Sequence, residues 1–300
     1  MSGEIAALLT AISWTITGIV FQWVSKRIGS LSLNLIRLLM AFIMISLYAL
    51  IVRGSLLPTD ATAHAWVWLS ISGIIGFVLG DYFLFKSYEL IGARIALLIF
   101  SSSPIFAGIA GYFLWGESLS LWSMLGIGLV LCGIGLVILT RTPERDDQVG
   151  VSLKFDPKGL LYALIASLGQ AFGIVASKLG MGDYHAVAAT QIRIISAIIG
   201  FSIIYVIAGH WPKFFRALRD QKTILITSLG ALFGPFIGVT LSLYAVQRSN
   251  TAIASTIMSL MPILIIPFSV LLFKERIRSS EVLGAFVAII GTALLLLMNS

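Results

Sequence analysis

Asp81 is the residue best placed to do chemistry, because it lies within a long apolar stretch that includes Gly76–Tyr82. A carboxylate at mid-membrane depth costs about 2.5–3.5 kcal/mol on insertion scales, so it normally faces a partner or a cavity. Lys86, the nearest basic residue along the chain, is five positions away, whereas pairs on a helix need a spacing of three or four. We therefore expect Asp81, with Tyr82 beside it, to be free to bind a proton or a cationic group. The alternative is that Asp81 is hydrated or capped near a helix end.

Two arginines also interrupt apolar runs. Arg37 lies roughly six residues into its run, about 9 Å deep at 1.5 Å per residue, so we expect its guanidinium to reach the lipid headgroups. Arg193 lies deeper, roughly nine residues into its run, with Thr190 and Ser196 one turn away on the same face. We expect Arg193 to pair with another helix or to bind a carboxylate.

Trp14, Thr17 and Gln170 are candidate substrate-binding residues, because each is aromatic or polar within an otherwise apolar run. Trp14 and Gln170 are equivalent positions of the repeat described below, so facing walls of a cavity would present an indole and an amide. An aromatic face suits a planar or cationic solute. The alternative, which fits Thr17 and Gln191 better, is hydrogen bonding between helices at about 1 kcal/mol per bond.

Two prolines follow short stretches that contain a serine: Ser102 lies before Pro104, and Ser259 lies before Pro262. Pro104 and Pro262 each free a carbonyl in the preceding turn, and a serine hydroxyl can satisfy that carbonyl. A matched pair of such breaks predicts a hinge or marks a binding site. Static kinks are the alternative.

The elements that must position these residues are membrane-spanning helices. Of the 300 residues, 58% are hydrophobic and only 11% are charged, with a mean hydropathy of +1.02; soluble domains carry about 25% charged residues. The apolar runs do not alternate, which favours helices over a barrel. Runs of about 20 residues are long enough to span a bilayer. Ten qualify, at about 4–25, 31–52, 65–85, 93–115, 120–140, 159–179, 185–208, 223–245, 251–273 and 280–298.

The second half of the sequence repeats the first. Arg37 and Tyr88 recur 156 positions later, and Pro104, Glu117, Gly126 and Gly133 recur 158 positions later, as Arg193, Tyr244, Pro262, Glu275, Gly284 and Gly291. Five spans in each half would place the second copy upside down relative to the first, an arrangement typical of transporters. We therefore predict an all-α membrane protein of two inverted five-helix repeats, 1–140 and 159–300, joined by a linker at 141–158.

The distribution of charge predicts the orientation of the chain. Fifteen of the 20 basic residues fall in or near connections on one side, against three on the other. The positive-inside rule places the basic side, with the linker 141–158, in the cytoplasm and both termini outside. The net charge of +7 is therefore explained by the orientation of the chain in the membrane, and we expect no nucleic-acid partner. Membrane lipid is an expected partner of the amphipathic stretch 211–219, unless it is an ordinary basic loop.

No catalytic constellation is visible. Cys132 is the only cysteine, which excludes an intrachain disulfide and a cysteine-based metal site. The sequence contains none of the zinc-protease, nucleophile-elbow or phosphate-loop motifs. We therefore expect no enzyme activity, no cofactor and no metal.

Each half resembles an EamA-type unit of the drug/metabolite transporter superfamily. The family pattern is a tryptophan, an arginine, a proline, an acidic turn and two spaced glycines, in that order. In the first copy these are Trp14, Arg37, Pro104, Glu117, Gly126 and Gly133. In the second copy Gln170 replaces the tryptophan. The resemblance implies ten helices around a cavity lined by spans 1, 3, 4, 6, 8 and 9. It also implies export of a small metabolite, amino acid or drug across a bacterial inner membrane.

The expected function is therefore secondary transport by alternating access. Proton exchange through Asp81, or the solute gradient alone, would supply the energy. The alternatives are an intramembrane lipid-handling protein and a membrane sensor that transports nothing.

Overall fold

The computed structural model describes residues 1–140, 156–261, 263–264 and 279–298, and every regular element in these ranges is a helix. The first half contains α1 (Gly3–Ile28), α2 (Ser30–Arg53), α3 (Ala63–Gly73), α4 (Tyr82–Phe100), α5 (Ser103–Trp115) and α6 (Leu121–Thr140). The second half contains α7 (Pro157–Met181), α8 (Ala186–Ala208), α9 (Trp211–Leu218), α10 (Gln221–Ala231), α11 (Val239–Arg248), α12 (Thr251–Met258) and α13 (Ser279–Met298). Two π-helical segments, π1 (Ile74–Asp81) and π2 (Leu232–Gly238), join α3 to α4 and α10 to α11.

The helices have the length and composition of a multi-pass membrane protein. Within the described ranges, six are long and apolar enough to cross a bilayer, at 3–28, 30–53, 63–91, 157–181, 186–208 and 221–248. Shorter apolar helices occupy 103–115, 121–136 and 282–295. The all-helical membrane class is thus confirmed. The count of ten stays a prediction, because the last part of the predicted ninth span, 265–273, lies outside the described residues.

The predicted connection between the third and fourth spans agrees with the path of the chain along α7. Gly80 packs against Gly169, Ile91 against Gly159 and Phe100 against Ser167. The chain therefore follows α7 in one direction as far as Ile91, where the apolar span from Ala63 ends, and has turned back by Phe100.

A second break follows at Ser101 and Ser102. The hydroxyls of Ser101 and Ser102 donate to the carbonyls of Leu97 and Ile99 at 2.8 and 2.6 Å, so they satisfy groups at the helix end.

Polar side chains begin most of the other helices. Each accepts a hydrogen bond from a backbone N–H of the first turn, which otherwise lacks a partner. The caps are Ser2, Thr62, Asp156, His185, Asp220 and Asn250. At the other end, Gly116 follows α5 with φ of +64°, a left-handed conformation that favours glycine. This turn places Glu117 directly after α5.

The surface is apolar and the interior contains many small polar groups. Large aliphatic and aromatic side chains such as Ile51, Phe113 and Ile207 are mostly exposed, as expected of residues that face lipid. Several buried hydroxyls are satisfied within their own helix. For example, Thr10 and Thr15 donate to the carbonyls four residues earlier at 2.8 and 2.7 Å, so they can be buried without an unpaired donor.

The two halves pack against each other through equivalent elements. Helix α1 contacts α10, π2 and α11 of the second half, and its repeat counterpart α7 contacts α3, π1 and α4 of the first. Helices α2 and α8 also contact each other. The core is therefore built across the halves, and neither half encloses it alone.

The π-helical segments occupy equivalent places in the two halves. An offset of 156 residues maps Ile74–Asp81 onto 230–237, which overlaps Leu232–Gly238. In the second segment Pro235 lies inside the helix and cannot donate a backbone hydrogen bond. In the first, Gly80 packs so closely on α7 that a Cβ at Gly169 would lie 2.8 Å from its Cα. Single π turns inside helices frequently occur at functional sites.

The repeated glycines of α6 and α13 bring these two helices into close contact. A Cβ at Gly133 would lie 2.5 Å from the Gly284 carbonyl oxygen, and one at Gly291 would lie 2.7 Å from the Gly126 oxygen. Small residues at such crossings let helix backbones approach in a membrane. These repeat positions are therefore structural.

Gly133→Ala is expected to destabilise the folded protein by about 1–3 kcal/mol, because the methyl group overlaps α13. Gly128→Ala on the same helix is the matched control. No described atom lies within 4 Å of its added Cβ, and alanine favours a helix by up to about 1 kcal/mol over glycine. Unfolding of both variants in mixed micelles measures the difference. Equal losses of stability would contradict the close contact.

Candidate functional site

A cavity lies between the two halves, with about 690 Å³ of empty space including the part that is open to solvent. Helices α1, α2, α4, α7, α8 and α11 and both π segments contribute to its wall. The lining residues are Trp14, Thr17, Gly18, Phe21, Arg37, Gly76, Phe77, Asp81, Leu84, Phe85, Tyr88, Phe100, Gln170, Ile174, Arg193, Gly234, Pro235, Val239, Ser242 and Met261. The wall is thus mainly apolar and aromatic, and three of these residues carry charge.

Arg37 and Asp81 form an ion pair at the cavity wall. Nη2 of Arg37 donates to Oδ2 of Asp81 at 2.5 Å. The arginine side chain is only 4% exposed, whereas that of Asp81 is 19% exposed, so the carboxylate keeps a face toward the cavity. Asn34, one turn before Arg37, accepts from Nε at 3.0 Å and from Nη2 at 2.7 Å. Asn34 in turn donates to the Ser30 carbonyl at 3.0 Å, which fixes the amide.

Aromatic rings surround the Arg37 guanidinium. Its Cζ lies 5.6 Å from the ring centre of Phe21, 5.7 Å from that of Phe77 and 5.3 Å from that of Phe85. Such contacts attract a cation and are stronger when water is excluded. The rings therefore help to hold a charge inside the protein.

Two expectations about these charges are wrong. Arg37 does not reach the surface, and Asp81 is not free, because each is the other's partner. The separation of 44 positions hides this pair from any search of neighbouring positions. The depth estimate for Arg37 assumed an isolated helix, whereas α2 is packed against neighbours on several sides.

Arg193 is the second buried arginine of the cavity. Its side chain is 4% exposed, and its Nε has no hydrogen-bond partner. Its Cζ lies 4.9 Å from the ring centre of Phe77, so the two arginines share this ring. Asp81 acts on it electrostatically, yet no acidic residue of the described chain forms an ion pair with it.

Trp14, Thr17 and Gln170 line the same cavity. The hydroxyl of Thr17 donates to the Ser13 carbonyl at 3.0 Å, so its hydrogen bond stays within α1. The Trp14 indole packs against π2, where a Cβ at Gly238 would lie 2.6 Å from its Nε1. The structure thus brings three predicted residues to one cavity with Asp81 and Arg193; their contact with a substrate stays a prediction.

Four other predicted residues do not line the cavity. Tyr82 packs against the ring of Phe83, and Ser102 shares a hydrogen bond of 2.9 Å with Ser167. Ser259 donates to the Ser255 carbonyl at 2.9 Å. Pro104 lies in the first turn of α5, where proline disturbs no helical hydrogen bond. Pro262 lies outside the described residues.

The sequence reasoning missed the aromatic wall. Phe77, Leu84, Phe85 and Tyr88 line the cavity beside Asp81. Their spacing from Asp81 follows one helical face, so that face could have been identified from the sequence. Gln191, by contrast, bonds between elements as expected, donating to Ser46 and to the Leu56 carbonyl at 2.8 and 2.7 Å.

Polar contacts join the two halves on the face where α1 begins. We call this set the polar rim: Glu4, Arg53, Asp60, Glu117, Lys178, Tyr184, Ser249 and Thr251. Lys178 forms an ion pair with Glu117 and also donates to Thr251 at 3.0 Å. Oε2 of Glu117 accepts from the Thr251 N–H at 3.0 Å, so the carboxylate also meets the positive end of α12.

The rest of the rim continues these contacts. Arg53 bonds Asp60 at 2.6 Å, and the Tyr184 hydroxyl donates to Asp60 at 2.9 Å. Hydrogen bonds to Arg53 and Tyr184 lower the pKa of Asp60, while burial and the bond to Asp60 raise that of Tyr184 to about 12. Ser249 donates to Glu4 at 2.7 Å.

The opposite face has fewer contacts of this kind among the described residues. There Arg27 bonds Asp220 at 2.6 Å, and both side chains are partly exposed. Hydrogen bonds from Thr223 and Arg27 lower the pKa of Asp220 to about 2. This pair therefore persists at neutral pH and is lost only as the pH falls through that value. Within the part of the chain that the structure describes, the contacts between halves are thus more numerous at the polar rim.

Comparison with known proteins agrees with the fold. The model of the EamA-like transporter family matches residues 1–139 and 157–297. An uncharacterized transporter of Archaeoglobus fulgidus is 26% identical over 97% of this chain and 96% of its own. An uncharacterized transporter of Synechocystis is 24% identical over 87% of this chain and 79% of its own. A solved crystal structure superposes with a TM-score of 0.74 at 15% identity, over 99% of this chain and 96% of that chain; it shows the fold alone.

The fold and its cavity therefore define a membrane transporter. The chain belongs to the EamA-like transporter family, with one match in each half. This confirms the resemblance to drug/metabolite transporters drawn from the sequence.

Arg37→Gln and Asp81→Asn are each expected to destabilise the protein by about 3–5 kcal/mol, because each leaves a buried charge without its partner. The double variant is expected to lose less than the sum of the two. Unfolding of the wild type, single and double variants in mixed micelles gives the coupling energy. The exposed pair of Arg27→Gln and Asp220→Asn is the control, with a much smaller coupling expected. Additive losses at Arg37 and Asp81 would contradict the ion pair.

Proposed function

We propose that this chain is a secondary transporter that exports a small metabolite, amino acid or drug across a bacterial inner membrane. The observation that carries this proposal is the cavity between the halves, which contains both intramembrane arginines and Asp81. Charged residues inside a membrane mark substrate or ion pathways by default. Membership of a transporter family supports the same reading.

The transport cycle would rock two inverted repeats, 1–140 and 159–300, around the cavity. The linker 141–158 would lie in the cytoplasm and both termini in the periplasm. The many ties at the polar rim support a state in which the periplasmic side is closed. Opening that side would break the contacts of Lys178 with Glu117 and of Tyr184 with Asp60, while the Arg27–Asp220 pair on the other side would hold.

Asp81 is the proposed coupling residue. Its carboxylate holds Arg37 and also faces the cavity, so a proton bound there would weaken the tie between α2 and π1. Such a protonation would change which arrangement of the two elements is favoured. Proton exchange could thus be linked to movement of the halves. Transport driven by the solute gradient alone would not need this step.

Purified protein in vesicles is expected to move at least one solute of a broad panel of small acids, amides and amines. Asp81→Asn is expected to change the pH dependence of that flux at equal amounts of folded protein. Arg248→Gln, at an exposed position outside the cavity and outside both sets of contacts between the halves, is the control and should keep the wild-type profile. Unchanged and equally pH-sensitive flux in Asp81→Asn would sink the coupling role. No flux of any solute would contradict transport itself.

Glu117→Gln is expected to open the periplasmic side more often, because the ion pair with Lys178 is lost. Ser242→Cys places a thiol in the cavity wall, and Cys132→Ser removes the only native cysteine. A membrane-impermeant thiol reagent added outside cells should label this thiol several-fold faster when Glu117→Gln is added. Asp220→Asn, on the opposite face, should not increase labelling from outside. Faster external labelling with Asp220→Asn instead would contradict the proposed orientation.

A further inference from the structure

Arg193 is a buried cation that lacks the kind of partner that Arg37 has. Its side chain is 4% exposed, it lines the cavity, and its Nε makes no hydrogen bond. The ring of Phe77, 4.9 Å away, stabilises the charge but accepts no conventional hydrogen bond. Buried guanidinium groups are normally paired with an anion. The site is therefore incomplete as the described chain builds it.

The repeat shows what is missing. Arg37 and Arg193 are equivalent positions, and Arg37 is paired with Asp81 on the neighbouring π segment. The position equivalent to Asp81 is Ile237, which carries no charge. One half thus supplies both members of a buried ion pair, and the other supplies only the cation.

We propose that the transported solute carries a single carboxylate, which binds the guanidinium of Arg193 and takes the place of the missing acid. This inference rests on the transport function proposed above and specifies its substrate class. A carboxylate can accept two parallel hydrogen bonds from a guanidinium. The unpartnered Nε is one donor for such a contact.

The charge of the cavity sets the charge of the solute. Arg37, Arg193 and Asp81 are the three charged residues of the described wall, so the wall carries one net positive charge. A monocarboxylate neutralises it, whereas a dianion such as a phosphate monoester would leave a net negative charge in the membrane. An amine would add a second uncompensated positive charge. Charge balance thus favours one carboxylate.

The remainder of the wall sets the body of the solute. Trp14, Phe21, Phe85, Tyr88 and Phe100 line the cavity, so the part of the solute beyond the carboxylate should be apolar and planar. Aromatic monocarboxylates fit this description. Phenylacetate and indole-3-acetate are suitable probes, and each has an amide of almost the same shape and no charge.

The experiment measures binding of the two acids and their amides, phenylacetamide and indole-3-acetamide, to the full chain in nanodiscs by calorimetry. Flux of the same four compounds is measured in vesicles. We expect each acid to bind at least about tenfold more tightly than its amide, because hydrogen bonds to a charged group are worth more than neutral ones. This comparison needs no variant.

Arg193→Gln is expected to reduce the preference for acid over amide to near unity, and Arg193→Lys to retain part of it. Arg27→Gln, an exposed arginine outside the cavity, is the matched control and should keep the full preference. A merely structural role for Arg193 would lower the affinity for acid and amide alike and leave their ratio unchanged.

The outcomes separate this inference from the transport proposal. Flux or binding that is equal for acid and amide, or stronger for the amide or for phenethylamine, would overturn the carboxylate assignment and leave transport intact. An unchanged ratio in folded Arg193→Gln would overturn the role of Arg193. Absence of flux for every solute of the broader panel would count against transport, and against this inference with it.

Discussion

A charge buried in a membrane protein must be neutralised inside the protein, and the Arg37–Asp81 pair is where this constraint shapes the structure. The guanidinium fixes α2 against the end of π1 through a bond of 2.5 Å. Asn34 and three phenylalanine rings complete its surroundings. These groups are also part of the cavity wall or its support. The stability of the bundle and the polarity of the cavity therefore depend on the same contacts.

The two halves share a plan but differ in charge. Both place an arginine on the second helix, a π segment on the third and small residues where helices cross. Only the first half has an acid, Asp81, in its π segment. Only the first half has an indole, that of Trp14, where the equivalent residue of the second half is Gln170. A cavity between two identical halves would have matching walls. Because of these differences, one wall of this cavity carries the Arg37–Asp81 ion pair, which has no net charge, and the other carries the cation Arg193.

The sequence predicted the class of fold and many of its parts because those depend on local composition. Long apolar runs predict membrane helices whatever surrounds them, and the spacing of Gly126, Gly133 and Gly291 predicts their role in packing. The partner of Asp81 could not be predicted, since it depends on contact between residues 44 positions apart. The π-helical form of Ile74–Asp81 could not be predicted either, because hydropathy shows that a run is apolar but not which helical hydrogen bonds its backbone makes.

The glycine contact between α6 and α13 bears on how such proteins diversify. None of the described cavity-lining residues belongs to either helix, so the requirement for close backbones there is independent of the cargo. A lineage can exchange the residues around Arg193 and acquire a new solute without loosening this pair of helices. The residues that determine solute binding and the residues that hold α6 against α13 are therefore different. A mutation in the cavity can change the solute without affecting this helix contact.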